Sequence, residues 1–440
     1  MTTSRNMIPL KGASISRRHL LQCASALVGD SILASHFARA SGLGEHESAA
    51  GQLSKLPSNS DVEYGNDTLP SGIRSQYVDN NNGVRMHVLE AGFESRGRPC
   101  VVLLHGFTEL AYTWRKQLLP LARLGFHVIA PDLRGYGRSV VTPVTYDDDL
   151  LPFSIMNRIA DVLGLVRALG YEKVSAVVGH DWGGPTAAWC ARVRPDVFQS
   201  VVSMSTPFFG APFLPFNTVN DKPSAPTAED KRYDLAALSP PRKHYQWYFT
   251  TREANDNLWH APQGVHDLLR AQHYFKSADW KGNKPYALKS DLASEMAKIP
   301  KYYIMDLDKG YAETMATEMP SNGYIAACKW LTEDELLVFS REYTRTGFQG
   351  GLNLYRIFEV AGDLNVFSNR TIDVPALYVA GANEWGPYQS PGAFEDMKNV
   401  CTRLLGVHFV KGAGHTVPEE QPEEVNRLLT AFLPRVRGGR

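Results

Sequence analysis

Val174-Ser-Ala-Val-Val-Gly-His-Asp-Trp-Gly-Gly-Pro-Thr-Ala-Ala188 opens on a short β-branched apolar run, makes a Gly-flanked turn and enters Ala-rich sequence with helical spacing. The reading is strand, sharp turn, helix. Gly179 and Gly183 stand two residues either side of Asp181, as a tight turn with a strained tip requires. Such a turn lifts its tip residue above the end of the strand. A carboxylate there can displace a leaving group at an sp3 carbon and form an alkyl ester. Asp181 therefore directs the expected chemistry away from serine-type acyl transfer, toward opening an epoxide or expelling a halide.

Outward from this stretch, apolar runs alternate with helical spacing. Cys100–Leu104 is a continuous apolar run, as in a strand buried on both faces. It ends in His105-Gly106-Phe107-Thr108-Glu109. His127–Ala130 reads as the next strand, Phe153–Leu169 as a helix stopped by Gly170, and Ser200–Met204 as a further strand. Before them, Gln76–Asp79 and Val84–Glu90 flank Asn80-Asn81-Asn82-Gly83, a hairpin signal. The fold class is α/β, with a mainly parallel, doubly wound sheet. From Pro207 to about Gly350 the pattern breaks into aromatic-rich, mostly helical sequence with Pro-rich joints at Pro223–Pro226 and Pro240-Pro241. This reads as a lid inserted over the carboxyl ends of the strands. The sheet resumes with Ala376–Ala380 and Val407–Val410, and a last helix runs from Pro422 to Phe432. The expected organisation is an export signal over 1–40, a linker or N-terminal arm over 41–75, core over 76–206, lid over 207–350 and core again over 351–440.

Length and composition bound the function. At 440 residues, 43% hydrophobic and 21% charged, the chain suits one large domain with an insertion. Lys+Arg and Asp+Glu are 46 each, so no net field favours nucleic acid as a partner. The cysteines, Cys23, Cys100, Cys190, Cys328 and Cys401, form no CxxC pair and no zinc-spaced cluster with His. No metal and no cofactor are expected, and the last four read as buried thiols. Residues 1–29 carry Arg5, Lys11, Arg17 and Arg18 and no acid. Ser16-Arg17-Arg18-His19-Leu20-Leu21, an apolar stretch to Phe37 and Ala38-Arg39-Ala40 resemble a bacterial twin-arginine export signal. Asp30 interrupts the apolar stretch, which is too short to anchor the chain in a membrane. The alternatives are a mitochondrial-type presequence or a disordered tail on a cytoplasmic protein.

An ester on Asp181 needs a base to activate water and an acid to orient that base. In the α/β-hydrolase fold the chain order is nucleophile, acid, His. His415, in the Gly-rich loop after the last strand, is the candidate base. His408 lies inside that strand and reads as structural, and His180 reads as a packing residue on the turn. Glu384 is the only carboxylate in Gly381-Ala382-Asn383-Glu384-Trp385-Gly386, the loop where the acid belongs. The backbone N–H groups of Phe107 and Trp182 are the expected oxyanion hole. His105, Phe107 and Trp182 are expected to line the substrate site.

From about residue 76 to its end the chain resembles the epoxide hydrolase branch of the α/β-hydrolase fold. The resemblance lies in His105-Gly106-Phe107, Asp132–Ser139, Gly179–Gly184, the Glu384 loop and Gly414-His415. His244-Tyr245-Gln246-Trp247-Tyr248-Phe249 and Thr346–Arg356 resemble the segments that carry that family's two lid tyrosines. The resemblance implies that Tyr245 and Tyr355 hold and protonate the epoxide oxygen. Two strained-ring requirements agree: the leaving alkoxide needs a proton donor, and phenols supply one without a metal. The chain departs from the family at Thr108, where Pro is usual, and at Thr416, where an aromatic residue is common. Haloalkane dehalogenases share the Asp/His pair, but they use a second side-chain halide donor near the position of Phe107, which has none. A non-catalytic binding protein on this fold is the third reading. The expected partners are water and a small, apolar epoxide, since the lid is rich in aromatic residues.

Overall fold

The computed structural model describes residues 64–65, 67–140, 142–211, 228–357 and 364–437. The export signal read over 1–40, Cys23 and the Pro223–Pro226 joint fall outside the described residues.

The first half of the core lays down β1 (Arg74–Asp79), β2 (Arg85–Ala91), β3 (Cys100–Leu104), β4 (His127–Pro131), β5 (Val174–His180) and β6 (Val201–Met204). Helices α1 (Arg115–Arg123), α2 (Ile155–Ala168) and α3 (Gly183–Val193) connect them. The β1–β2 hairpin turns through Asn81 and Gly83, both in the left-handed region with φ of 55° and 73°. Every residue of β3, β4 and β6 is buried, which is why these strands read as unbroken apolar runs. Ser154 caps α2 by accepting the Asn157 N–H at 3.3 Å.

Between β6 and the returning sheet lie the lid elements. They are α4 (Ala228–Ala236), β7 (Arg242–His244), α5 (Tyr245–Phe249), α6 (Glu253–Trp259), α7 (Gly264–Lys276), α8 (Ala293–Met296), β8 (Ile304–Asp306), α9 (Tyr311–Ala316), α10 (Asn322–Ala327), α11 (Glu333–Thr346) and α12 (Gln349–Arg356). Strands β7 and β8 pair antiparallel in a small sheet of their own. The core resumes with β9 (Ala376–Gly381), α13 (Ala393–Val400), β10 (Leu404–Val410), α14 (Val417–Glu420) and α15 (Pro422–Arg437).

The large sheet runs in the order β1-β2-β4-β3-β5-β6-β9-β10. Strands β1, β2 and β4 pair antiparallel in sequence, and all other pairs are parallel. After β3 the chain first goes to one side, as β4, and then crosses to the other, as β5. Loops leaving the carboxyl ends of β3 and β5 diverge at that switch, and a doubly wound sheet binds its ligand there.

Two expected boundaries are corrected. The arm over 41–75 is not loose to its end: Tyr64 is 1% exposed, its hydroxyl donates to Asp132 Oδ1 at 2.8 Å, and β1 begins at Arg74. The lid does not end at Gly350, because α12 runs unbroken through it from Gln349 to Arg356. His408 is exposed on β10 rather than packed. Cys100, Cys190, Cys328 and Cys401 are free and buried.

Candidate active site

Strand β5 ends at His180 and α3 starts at Gly183, so the turn between them is two residues long. Asp181 is at its tip with φ of 48°. A non-glycine residue held there stores on the order of 1–3 kcal/mol of strain. The strain presents the carboxylate to the loop after β3. That loop passes so close that a Cβ on Gly106 would collide with the Asp181 side chain. The Phe107 N–H donates to Asp181 Oδ1 at 2.9 Å, which leaves Oδ2 as the oxygen facing the base. Trp182 is the N-cap of α3, and its ring meets Tyr355 edge-on at 5.2 Å between centroids.

His415 Nε2 is 3.7 Å from Asp181 Oδ2. On the other side of the ring, Nδ1 is 2.7 Å from Glu384 Oε1. Nδ1 therefore carries the proton, and Nε2 is the atom that can accept one. Burial, then the Lys276 charge, depresses the His415 pKa to about 3. The ring is neutral at ordinary pH. Glu384 is itself buried, which pushes its pKa up. The hydroxyl of Ser205 and the His415 Nδ1–H both donate to its Oε1, and the His180 and Lys276 cations face it. Those contacts oppose the rise but do not cancel it, and the Glu384 pKa settles at about 8. Ser205 adopts φ of 70° just after β6 to reach this position, and its role was not visible in the sequence.

His180 is more than a packing residue. Its Nδ1 is 2.6 Å from Glu109 Oε1 and its Nε2 is 2.7 Å from the His415 carbonyl. Acceptors face both nitrogens, so the ring is an imidazolium. Burial opposes that charge, but Glu109 outweighs it and lifts the pKa to about 9. Glu109 is likewise penalised by burial, and His180 with the Gly106 N–H brings it down to about 2. This pair joins the β3 turn, the nucleophile turn and the His415 loop. Glu420 holds the same loop from below, accepting the N–H groups of Gly414 at 2.8 Å, Ala278 at 2.9 Å and Thr416 at 3.1 Å. Nothing in the local sequence marks Glu109 or Glu420, because the contacts that tie them to other loops, with His180 and Ala278, are distant in the chain.

Glu420→Ala is expected to leave three buried backbone donors without an acceptor, at about 1–3 kcal/mol apiece. Chemical denaturation should register a loss of at least about 2 kcal/mol, with kcat falling alongside as His415 loses its seat. An unchanged denaturation midpoint would remove Glu420 from this role.

The lid brings its two tyrosines together above Asp181. Tyr245 opens α5 and Tyr355 lies in the last turn of α12. Their ring centroids are 5.9 Å apart, edge to face. Each is 6% exposed. Burial, reinforced by the Asp181 charge, raises both phenols above the usual tyrosine range, with Tyr245 also adding to the rise at Tyr355, so both remain proton donors. Phe107 and Phe249 pack against Tyr355 at 5.7 and 5.0 Å. Tyr248 faces away, with the Lys243 ammonium 4.6 Å over its ring, and packs the lid.

His105 was expected to line the substrate site, and the structure places its nitrogens elsewhere. Nδ1 donates to the Gly106 carbonyl at 2.9 Å and Nε2 accepts the Leu133 N–H at 3.0 Å, with the ring fully buried. It pins the β3 turn to the β4 turn. Thr108 does not disturb the oxyanion turn, since Phe107 still reaches Asp181. Its hydroxyl accepts from Gln272 Nε2 of α7, joining the turn to the lid. Among the described residues no group of three or more His, Cys, Asp or Glu is placed to hold a metal ion.

A strained carboxylate elbow, a buried His–Glu pair and a switch-point location define an α/β hydrolase with an aspartate at the tip of the turn after β5. The family described as the alpha/beta hydrolase fold matches residues 99–420. Epoxide hydrolase B of Mycobacterium tuberculosis is 31% identical over 379 residues, covering 81% of this chain and 98% of that protein. Epoxide hydrolase 3 of Siraitia grosvenorii is 29% identical over 362 residues, covering 80% and 96%. Among solved structures, an epoxide hydrolase from an endophytic Streptomyces superposes with a TM-score of 0.65 at 30% identity, covering 84% of this chain and 97% of that one. Epoxide Hydrolase A from Mycobacterium thermoresistibile gives 0.63 at 31% identity, covering 83% and 98%. The chain belongs to the epoxide hydrolase family of α/β hydrolases.

Proposed function

We propose that this chain hydrolyses an epoxide to a vicinal diol through an ester on Asp181. The observation that carries the reading is the pair of buried phenols, Tyr245 and Tyr355, in ring contact with each other and facing a strained carboxylate. A carboxylate nucleophile alone suits either an epoxide or a halide. Two phenols held protonated by burial suit an alkoxide leaving group, which must take a proton as the ring opens.

In the first step Asp181 Oδ2 attacks one epoxide carbon, the ring C–O bond breaks, and a tyrosine proton passes to the oxygen. Oδ1 becomes the ester carbonyl oxygen, already bonded to the Phe107 N–H. In the second step His415 Nε2 takes a proton from water and the hydroxide adds to the ester carbonyl. Glu384 stabilises the resulting imidazolium, and the N–H groups of Phe107 and Trp182 hold the oxyanion. Collapse releases the diol, returns the carboxylate, and leaves a proton to restore the phenol. The apolar body of the substrate rests among Phe107, Trp182 and Phe249.

Incubation with styrene oxide should yield phenylethanediol, and incubation with chlorohexane should release no chloride. Chloride release without diol formation would overturn this reading in favour of the dehalogenase one.

A further inference from the structure

The cavity beside the base is not uniformly apolar. Between the oxyanion turn and α7 its lining includes Thr108, Glu109, Gln272, Lys276, His415 and Thr416. Lys276 is the last residue of α7 and 8% exposed. Its carbonyl accepts the His415 N–H at 2.9 Å, so the side chain departs from within the site. Its ammonium lies 5.1 Å from the centroid of Tyr303 and 5.7 Å from that of Tyr245. Among the described residues no oxygen takes a hydrogen bond or ion pair from it.

The surrounding carboxylates do not supply that partner. The Lys276 charge faces Asp181, Glu384 and Glu109, but none of them is within ion-pair distance of the ammonium, and each has another donor on one oxygen. Asp181 has the Phe107 N–H, Glu384 has Ser205 and His415, and Glu109 has His180 and the Gly106 N–H. A desolvated ammonium without an acceptor is costly, and one that lines a cavity can recover that cost from an anion entering it. Two hydroxyl-bearing residues line the same cavity. Thr108 receives a hydrogen bond from Gln272 and keeps its own proton to give. Thr416, 3% exposed, uses its N–H on Glu420, and among the described residues its hydroxyl has no partner.

We propose that Lys276, with the hydroxyls of Thr108 and Thr416, forms a subsite for a carboxylate carried by the substrate close to its epoxide ring. The inference rests on the epoxide-opening reading and narrows it: the substrate has an apolar body for the aromatic lid and one anionic substituent for this corner. An anionic substrate approaching the Asp181 carboxylate is repelled, and a compact ammonium in low dielectric offsets the repulsion.

The test compares phenylglycidate with phenylglycidamide, which share a skeleton and differ in charge, with styrene oxide as the neutral reference. Wild type should show a kcat/KM about 10–100-fold higher for the carboxylate than for the amide, the range of a charge-assisted hydrogen bond. Lys276→Met should remove that ratio and Lys276→Arg should keep most of it. As a check that needs no variant, phenylpropanoate should inhibit wild-type turnover of styrene oxide more tightly than phenylpropanamide. A wild-type ratio at or below one, equal inhibition by the two, or an unchanged ratio in Lys276→Met would overturn the subsite. Failure to open styrene oxide or either glycidic substrate would instead overturn the epoxide-opening reading.

Discussion

His415→Gln, mixed with excess epoxide, is expected to gain the mass of one substrate on the peptide containing Asp181 and then stop. Removing the imidazole leaves untouched the groups that open the ring. Oδ1 still has the Phe107 N–H at 2.9 Å, and the two phenols keep their ring contact. What is lost is the atom 3.7 Å from Oδ2 that would take a proton from water. General-base catalysis is typically worth on the order of 10²–10⁴-fold, so ester hydrolysis should slow by that much while alkylation proceeds. Asp181→Asn should show no adduct and no turnover, because an amide is a poor nucleophile. Glu384→Gln should resemble His415→Gln in milder form, since it loses the charge that stabilises the imidazolium but keeps a hydrogen-bond acceptor for Nδ1–H. Intact-mass spectrometry of the three variants reads all of this. An unmodified His415→Gln, beside a wild type that converts the same epoxide, would mean that His415 is not the base or that no ester forms.

Tyr245→Phe with Tyr355→Phe is expected to abolish alkylation, the second large effect. Each phenol lost removes a donor aimed at a developing alkoxide. A preorganised donor of this kind is typically worth about 2.7–4 kcal/mol, or roughly 10²–10³ in rate. The two rings are in contact, 5.9 Å between centroids, so the single variants should not add to the double one. Each single variant keeps one donor at the oxygen and should be partly active. Packing is not the cause, since Phe keeps the ring contacts with Phe107 and Phe249. Single-turnover alkylation rates separate this step from hydrolysis. Full-speed alkylation by the double variant would remove both tyrosines from the chemistry.

Much of this site could be read before any coordinates. Strands β3, β4 and β5 announce themselves because they are buried on both faces and tolerate little that is polar. The positions of Asp181, Glu384 and His415 follow from strand ends, and the structure brings those three together. The network behind them could not be read. Ser205, Glu109, His180 and Glu420 are ordinary polar residues in sequence, and their meaning lies in partners up to 235 positions away, as between His180 and His415. Burial decides which of them are charged, and burial is a property of the folded whole. The lid boundary failed for a different reason. Gln349-Gly350-Gly351 looks like a helix break, but these glycines are inside α12 because the helix is pressed against the core. A Cβ at Gly350 would meet the Gly135 backbone, and one at Gly351 would meet the Phe107 ring. That close approach is what carries Tyr355 over Asp181. Tyr64 misled in the opposite direction, a lone aromatic in polar sequence that nonetheless buries and finds Asp132.

The central claim is that the new oxygen of the diol comes from Asp181 rather than directly from solvent. The most direct measurement is a single turnover, with enzyme in excess over epoxide, in water enriched in oxygen-18. The account predicts diol that carries no label, with one labelled oxygen in the carboxylate of the peptide containing Asp181. Labelled diol in that first turnover, with an unlabelled Asp181 peptide, would show that water attacks the epoxide directly and would contradict it.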